Sequence, residues 1–129
     1  MLDEIFKRQI ELQTKSFGVD PRDLTGDDMA NYVQSMSLAL TDEIHEALNE
    51  VGWKPWATSR HVNREAYVGE LVDALHFLVN LFLVVGADAH EVHYRYVEKS
   101  QRNKKRQEEG YDGVTGKCPT CSRALDDAK

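Results

Sequence analysis

The stretch ELVDALHFLVNLFLVV, residues 70–85, is the longest apolar run in the chain, and the rest of the sequence must fold around it. Twelve of the fifteen residues from 71 to 85 are apolar, and Gly86 follows them. A long apolar run without proline favours a buried helix, and a glycine directly after such a run is a common helix end. We therefore predict a helix from about residue 64 to 85 that is the most buried element of the fold.

Helices are also predicted on both sides of this segment, because apolar residues recur there at spacings of three and four. We expect one helix over about 2–16, one from Thr25 or Asp27 to about residue 51, and one over about 88–109 that Asp88 caps. No strand-like alternation and no internal repeat is visible. The sequence therefore predicts an all-α bundle of four to five helices.

Length and charge bound the function. The chain has 129 residues, enough for one main domain. Sixteen Lys and Arg residues against twenty-two Asp and Glu residues give a net charge of −6, which argues against nucleic acid as a partner. The first residues are acidic where a secretory signal would be basic, and the run 71–85 is short and polar for a membrane span. We expect a cytoplasmic protein that binds no membrane.

Two pairs of carboxylates stand three residues apart, and residues at that spacing share one face of a helix. Glu43 and Glu46 belong to the second predicted helix, and Glu70 and Asp73 open the central one. Such pairs are common on solvated helix faces, but anions beside a buried helix need a counter-charge. Hard divalent cations with oxygen ligands supply one, so the spacing favours a Mg²⁺ site.

Basic residues indicate which group of a substrate the cation would bind. Lys99, Asn103 and Arg106 form one stripe of the fourth predicted helix, and Lys54 lies in the loop between the two acidic helices. Alone, the stripe would be typical of a solvated helix end that complements the helix dipole. Beside an acidic patch that binds metal, the stripe instead indicates a binding site for a triphosphate.

Three sequence blocks in this order resemble the all-α nucleoside triphosphate pyrophosphatase superfamily, the MazG and dimeric dUTPase group, and within it the phage dCTP/dUTP pyrophosphatases. The blocks are the loop WKPW at residues 53–56, the segment ELVDALHF at residues 70–77 with Asn80, and the pattern Tyr96-x₂-Lys99-x₃-Asn103-x₂-Arg106-Gln107-x₂-Gly110-Tyr111. They accompany the double acidic motif, Glu43-x₂-Glu46 followed by Glu70-x₂-Asp73. The resemblance covers about residues 1–111, which we take as the catalytic domain, with 112–129 as a tail.

The resemblance implies hydrolysis of a nucleoside triphosphate to the monophosphate and pyrophosphate, with dUTP or dCTP the expected substrates and a purine such as dGTP the alternative. Mg²⁺, which Mn²⁺ is expected to replace, would be held by the residues that match the double acidic motif. Glu43 or its neighbour Asp42 would be the general base. The expected phosphate or sugar ligands are Lys54, Lys99, Asn103 and Arg106.

The same resemblance places the base pocket between the first helix and the Trp loop. It nominates Gln9, Gln13, Trp53 and Asn80, because an amide can pair with a pyrimidine edge and a ring can stack on it. Gln13 could equally be a polar rim residue, and Trp53 could pack in the core or a dimer interface. We expect His45 and His76 to be structural, since Mg²⁺ prefers oxygen ligands.

The tail carries the two cysteines of the chain, Cys118 and Cys121, in a Cys-Pro-Thr-Cys unit that resembles one knuckle of a zinc ribbon. A closed Zn²⁺ site needs two more ligands, which the same pair of a second subunit would supply. A free reduced dithiol in a reducing cytoplasm is the alternative.

The size of the chain and the resemblance both predict a homodimer or a higher homo-oligomer. The family branch also fits a virus-encoded enzyme that acts in the host cytoplasm. The competing hypothesis is a helical dimerisation module without catalysis, whose zinc knuckle binds a partner.

Overall fold

The computed structural model describes residues 1–110, 113, 114 and 116–125, and the described chain is helical, which confirms the predicted all-α class. The helices are α1 (Leu2–Glu11), α2 (Gly26–Asn49), α3 (Arg64–Val84) and α4 (Ala89–Glu108). A π-helical turn, Leu12–Ser16, continues α1, and a 3₁₀ turn, Pro21–Asp23, precedes α2. The predicted four helices are thus found, each within about two residues of its expected limits.

Local signals in the sequence explain where these helices begin and end. The Asp88 carboxylate accepts a hydrogen bond from the backbone N–H of Glu91 at 2.8 Å, which caps α4 as predicted. Gly86, with φ +78°, lies just beyond α3 in the left-handed conformation that L side chains rarely adopt. The short segment between Val84 and Ala89 therefore contains the signals that end α3 and begin α4.

The core of the first compact unit, Met1–Val92, is formed where α1 lies against α3. Phe6, Val79, Leu83 and Ala89 are buried together, and the ring of Phe6 stacks on that of Phe82 at 6.3 Å between centroids. Each fully buried side chain of this size contributes about 1.5–3 kcal/mol relative to exposure. This contact fixes α1 on the C-terminal half of α3.

The loop between α2 and α3 makes the two helices antiparallel. Val51 and Val62 form an isolated antiparallel bridge, and the Asn63 N–H donates to the Glu50 carbonyl at 2.9 Å, so the ends of the loop meet. Gly52 is required inside it, because a Cβ there would collide with the Ser59 carbonyl oxygen. From this hairpin α3 returns along α2, which places the end of α2 beside the start of α3.

The prediction that α3 is the most buried element is correct for its second half only. Ala74, Val79, Asn80, Leu83 and Val84 are buried. Five apolar side chains of the helix are 36–46% exposed, and they form a stripe at helical spacing: Val68, Leu71, Val72, Leu75 and Leu78. We call these five residues the apolar stripe, which is a surface of the chain and not its core.

Length alone would let α3 cross a membrane, contrary to the expectation that its apolar run is too short. The helix has 21 residues, with a mean hydropathy of 1.5 over its most apolar window. Core helices of globular proteins meet the same criterion, and α3 packs against α1 and α2.

The second compact unit comprises residues 93–129, of which the described part contains most of α4 and a short hairpin. The hairpin is closed by an antiparallel bridge between Lys117 and Ala124. The boundary predicted between residues 111 and 112 lies at residues outside the described part, as does Tyr111 of the third sequence block, and it stays a prediction.

Candidate active site

Three of the predicted metal ligands meet where the end of α2 lies beside the start of α3. Carboxylate oxygens of Glu43, Glu46 and Glu70 lie within 4.8 Å of one another. The first two share one face of α2, since they are three residues apart, and the antiparallel return of α3 brings Glu70 to them. We call these three residues the acidic cluster.

The electrostatics of the acidic cluster are unfavourable without a cation. The Oε2 atom of Glu43 is buried and has no hydrogen-bond partner in the described part of the chain. A hydrogen bond with Glu70, loss of solvent and the charges of Glu46 and Glu70 raise the pKa of Glu43 to about 7. The pKa of Glu46 is also raised, chiefly by the Glu70 side chain. A carboxylate oxygen without a partner lies among other anionic oxygens, and such a set of oxygen ligands fits a hard divalent cation.

The two remaining acidic candidates lie outside this cluster. Asp73 is exposed one turn further along α3 and is not within the 4.8 Å group, so three of the four predicted carboxylates meet and Asp73 stays a predicted ligand. Asp73 does line a cavity together with Glu43. Asp42 is exposed on α2 and lines neither the cluster nor the cavity.

That cavity, of about 440 Å³, extends from the acidic cluster to three buried amides between α1, α2 and α3. The predicted base-pocket residues Gln9, Gln13 and Asn80 all line it. The other lining residues are Leu12, Phe17, Met36, Glu43, Asp73, His76 and Phe77. A single space therefore connects carboxylates at one end with amides and aromatic rings at the other.

The amides of the cavity are held by hydrogen bonds. Gln9 Nε2 donates to Asn80 Oδ1 at 2.9 Å, and Asn80 Nδ2 donates to the Met36 sulfur at 3.4 Å. The Tyr32 hydroxyl donates to Gln13 Oε1 at 3.1 Å. Burial raises the pKa of Tyr32 to about 12, which keeps this hydroxyl protonated. Asn80, at 1% exposure, is thus satisfied by Gln9 and Met36.

The Trp loop lies apart from the cavity wall, contrary to the expectation for Trp53. The indoles of Trp53 and Trp56 are 43% and 75% exposed, and neither lines the cavity. The Lys54 ammonium lies 6.0 Å from the centroid of each ring, a cation–π arrangement on the surface. The rings on the cavity wall are those of Phe17 and Phe77.

The basic stripe belongs to the second compact unit. Arg106 Nη1 donates to Asn103 Oδ1 at 3.1 Å, so these two residues of the stripe are in contact on α4. They line a pocket of about 310 Å³ together with Gln107 and Lys117. Lys99, Asn103 and Arg106 remain predicted phosphate ligands.

Sequence reasoning did not assign six residues of the cavity and its support to the site: Leu12, Phe17, Tyr32, Met36, His76 and Phe77. His76 Nδ1 lies 2.8 Å from the Val72 carbonyl, which only accepts, so this nitrogen carries the proton. The predicted structural role of His76 is therefore observed, although its ring also faces the cavity. The spacing of Asp73, His76 and Asn80 on one helix face was the available signal.

Comparison with known proteins points to one family. A family model described as dUTPase matches residues 1–92, which are the whole first compact unit with its acidic cluster and cavity. The dCTP pyrophosphatase of Enterobacteria phage T4 is 26% identical over 111 residues, 67% of this chain and 65% of the relative. The chain thus spans less than two thirds of that relative. No solved structure matches the chain significantly.

Proposed function

The chain belongs to the dUTPase family, and from that premise we propose that it is a Mg²⁺-dependent pyrophosphohydrolase acting on dUTP or dCTP. The products would be the deoxynucleoside monophosphate and pyrophosphate. One observation carries the proposal: the cavity that holds the buried amides is also lined by Glu43, which belongs to the acidic cluster, and by Asp73. A nucleotide needs both ends, one for its phosphates and one for its base.

The converging carboxylates of the acidic cluster would hold the metal. Glu43, Glu46 and Glu70 would be the main ligands, with Asp73 at the cavity edge as a further one. Mg²⁺, or Mn²⁺ in its place, neutralises phosphate oxygens and lowers the pKa of a bound water when present. Lys54, Lys99 and Arg106 would balance charge on the leaving pyrophosphate.

Glu43 is the better candidate for the general base. Its Oε2 is buried and has no hydrogen-bond partner in the described part of the chain, and Glu43 lines the cavity, so this oxygen would accept a proton from a water there. The attacking water would lose its proton to this oxygen while its own oxygen bonds to the α-phosphorus and the bond to the bridging oxygen breaks. Exposed Asp42 has no comparable position.

The amide end would bind the base, and its hydrogen bonds fix what it presents. A thioether sulfur accepts hydrogen bonds and donates none, so Met36 holds the Asn80 amide with its N–H₂ towards the sulfur and its oxygen towards Gln9. The Tyr32 hydroxyl donates to the Gln13 oxygen at 3.1 Å, which leaves the Gln13 N–H₂ to donate to a ligand. That group would donate to a pyrimidine carbonyl.

Phe17 and Phe77 would flank the base. A cavity of about 440 Å³ lies within the usual range of about 300–1,000 Å³ for small-molecule sites. A purine is the alternative substrate, and competition between dUTP, dCTP and dGTP for the same enzyme distinguishes the two.

The apolar stripe supports a homodimer. Five neighbouring apolar side chains on one face of α3 leave a surface that a second copy would cover. In a Cys118→Ser/Cys121→Ser background, which removes the predicted zinc link between copies, Leu75→Glu at the centre of the stripe is expected to give monomers in analytical ultracentrifugation. Val114→Glu in the same background, at an exposed residue of the second unit, should leave the mass unchanged. A wild-type monomer at all concentrations would contradict the dimer.

The direct test of the function is pyrophosphate release from a panel of eight nucleoside triphosphates with and without Mg²⁺. We expect turnover of dUTP or dCTP only with the metal. Folded protein that turns over none of them would favour the non-catalytic dimerisation module. Activity that EDTA does not reduce would contradict the metal assignment alone.

A further inference from the structure

The hairpin of residues 116–125 holds both cysteines of the chain at its tip. Cys118 N–H donates to the Arg123 carbonyl at 2.7 Å, and Leu125 N–H donates to the Gly116 carbonyl at 2.8 Å. Ser122 N–H donates back to the Cys118 carbonyl at 2.9 Å, which closes a tight turn over the Cys-Pro-Thr-Cys unit. The turn therefore places Cys118 and Cys121 on one short, hydrogen-bonded loop.

The sulfur of Cys118 is surrounded by hydrogen-bond donors. Backbone N–H groups of Cys121 and Thr120 donate to it. Neither cysteine is in a disulfide, and Cys121 is exposed. Thiolates are the form of cysteine that binds metal, so the turn stabilises a metal-binding state at its outer surface.

The conformation of Ser122 adds to this picture. Its φ of +61° makes it the one non-glycine residue with positive φ in the described part of the chain. Such a conformation costs roughly 1 kcal/mol or more for a residue with a Cβ, and it lets the backbone fold back directly after Cys121. The turn therefore forms although its φ is unfavourable for a residue with a Cβ such as Ser122.

We propose that this hairpin is half of a structural zinc site, which Cys118 and Cys121 of a second copy complete. Structural zinc takes four ligands in a tetrahedron, and Cys118 and Cys121 supply two of them. Soft thiolates select zinc over the hard cation proposed for the acidic cluster. Two copies related by a two-fold axis supply four equivalent sulfurs without any other ligand.

Charge supports a second copy as the source of the missing ligands. Zinc with four thiolates carries a net charge of −2, and each hairpin contributes Lys117 and Arg123 immediately beside its cysteines. Two hairpins thus bring four positive charges around one dianionic centre.

Within the second unit, Lys117 also lines the pocket that contains Asn103 and Arg106. A zinc ion at Cys118 would therefore hold Lys117 against the predicted phosphate stripe. This consequence rests on the proposed function, whereas the zinc site itself does not.

Zinc content and ligand type test the proposal on the full chain, purified anaerobically with a reductant. We expect about 0.5 zinc per chain, since four ligands require two chains, and native mass spectrometry should show a dimer with one zinc. Cobalt substitution should give the intense absorption of four thiolates. One zinc per chain, no zinc in reduced protein, or a cobalt spectrum of two thiolates would each overturn it.

Variants separate the zinc site from folding and from catalysis. Cys118→Ser and Cys121→Ser should each lower zinc content at least tenfold, while Ser122→Gly, which keeps both ligands and relaxes the turn, should retain it. Far-UV circular dichroism checks that each variant is folded. Retention of zinc by the double cysteine variant would overturn the proposal, whatever the pyrophosphatase assay shows.

Discussion

The two ends of the cavity are stabilised in opposite ways. At the amide end, Gln9 and Asn80 satisfy each other and Tyr32 satisfies Gln13. At the carboxylate end, three anions converge and a buried Glu43 oxygen has no partner in the described part of the chain. Apart from the Gln13 N–H₂, the amides are hydrogen-bonded before any ligand binds, whereas the carboxylates lack a counter-charge until a cation binds. The comparison teaches that metal and base recognition can be disrupted separately.

Glu70→Gln should have the largest effect, because it removes the residue that contacts both other members of the acidic cluster. We expect a loss of about 10³-fold in kcat/KM for the preferred nucleotide. Metal-free thermal stability should be unchanged or higher, because a repulsive charge disappears. Glu65→Gln, on the same helix but 96% exposed in its side chain, is the matched control. Equal activity of both variants would contradict the metal site.

Mg²⁺ should stabilise the fold more at high pH than at low pH. The pKa of Glu43 is raised to about 7, so protons compete with the metal below that value. A raised pKa in the folded state also means that metal-free stability falls as pH rises from about 4.5 through 7. At a hundred times its Kd, Mg²⁺ would contribute about 2.7 kcal/mol.

Differential scanning fluorimetry at pH 5.5 and pH 8, with and without Mg²⁺, measures this difference. Glu70→Gln should show little Mg²⁺ effect at either pH. A Tm gain in the wild type that is larger at pH 5.5 would contradict the assignment of the acidic cluster.

Asn80→Ala should damage the amide end and leave the metal end intact. It removes the acceptor of the Gln9 amide inside a buried region, which costs about 1–3 kcal/mol of folding free energy. Urea denaturation measures that cost, and the Mg²⁺-induced Tm gain should persist. Loss of the Mg²⁺ effect would show that the two ends are not separable.

How far the sequence predicts the molecule differs between these ends. Periodicity predicts the helices and the spacing of Glu43 and Glu46, because both depend on local geometry. The convergence of Glu70 with this pair depends on the loop that makes α3 antiparallel to α2. That convergence was predicted from the family resemblance and not from local spacing. The exposure of Asp73 was not predicted, since an apolar sequence does not say which helix face another element covers.

The amide end shows the same limit. Gln13 and Asn80 were nominated by the resemblance, but Tyr32 supports Gln13 and Met36 supports Asn80 from α2, through contacts between distant residues. No local pattern marks a tyrosine or a methionine as the partner of an amide elsewhere in the chain. Trp53 does not line the cavity, and its role at the base stays a prediction, because a conspicuous loop motif does not fix where its rings point.

Tyr32→Phe should have the smallest effect and sharpens the comparison most. The variant removes one hydroxyl, and with it the bond that orients Gln13, while Gln9, Asn80 and the acidic cluster keep their contacts. One such hydrogen bond is worth about 0.5–1.5 kcal/mol. We therefore expect KM for the preferred nucleotide to rise about two- to tenfold and discrimination between dUTP and dCTP to weaken, with kcat unchanged. Tyr67→Phe, on α3 with no such bond, is the control. A fall in kcat at constant KM would place Tyr32 in the chemistry at the carboxylate end and remove the distinction between the two ends.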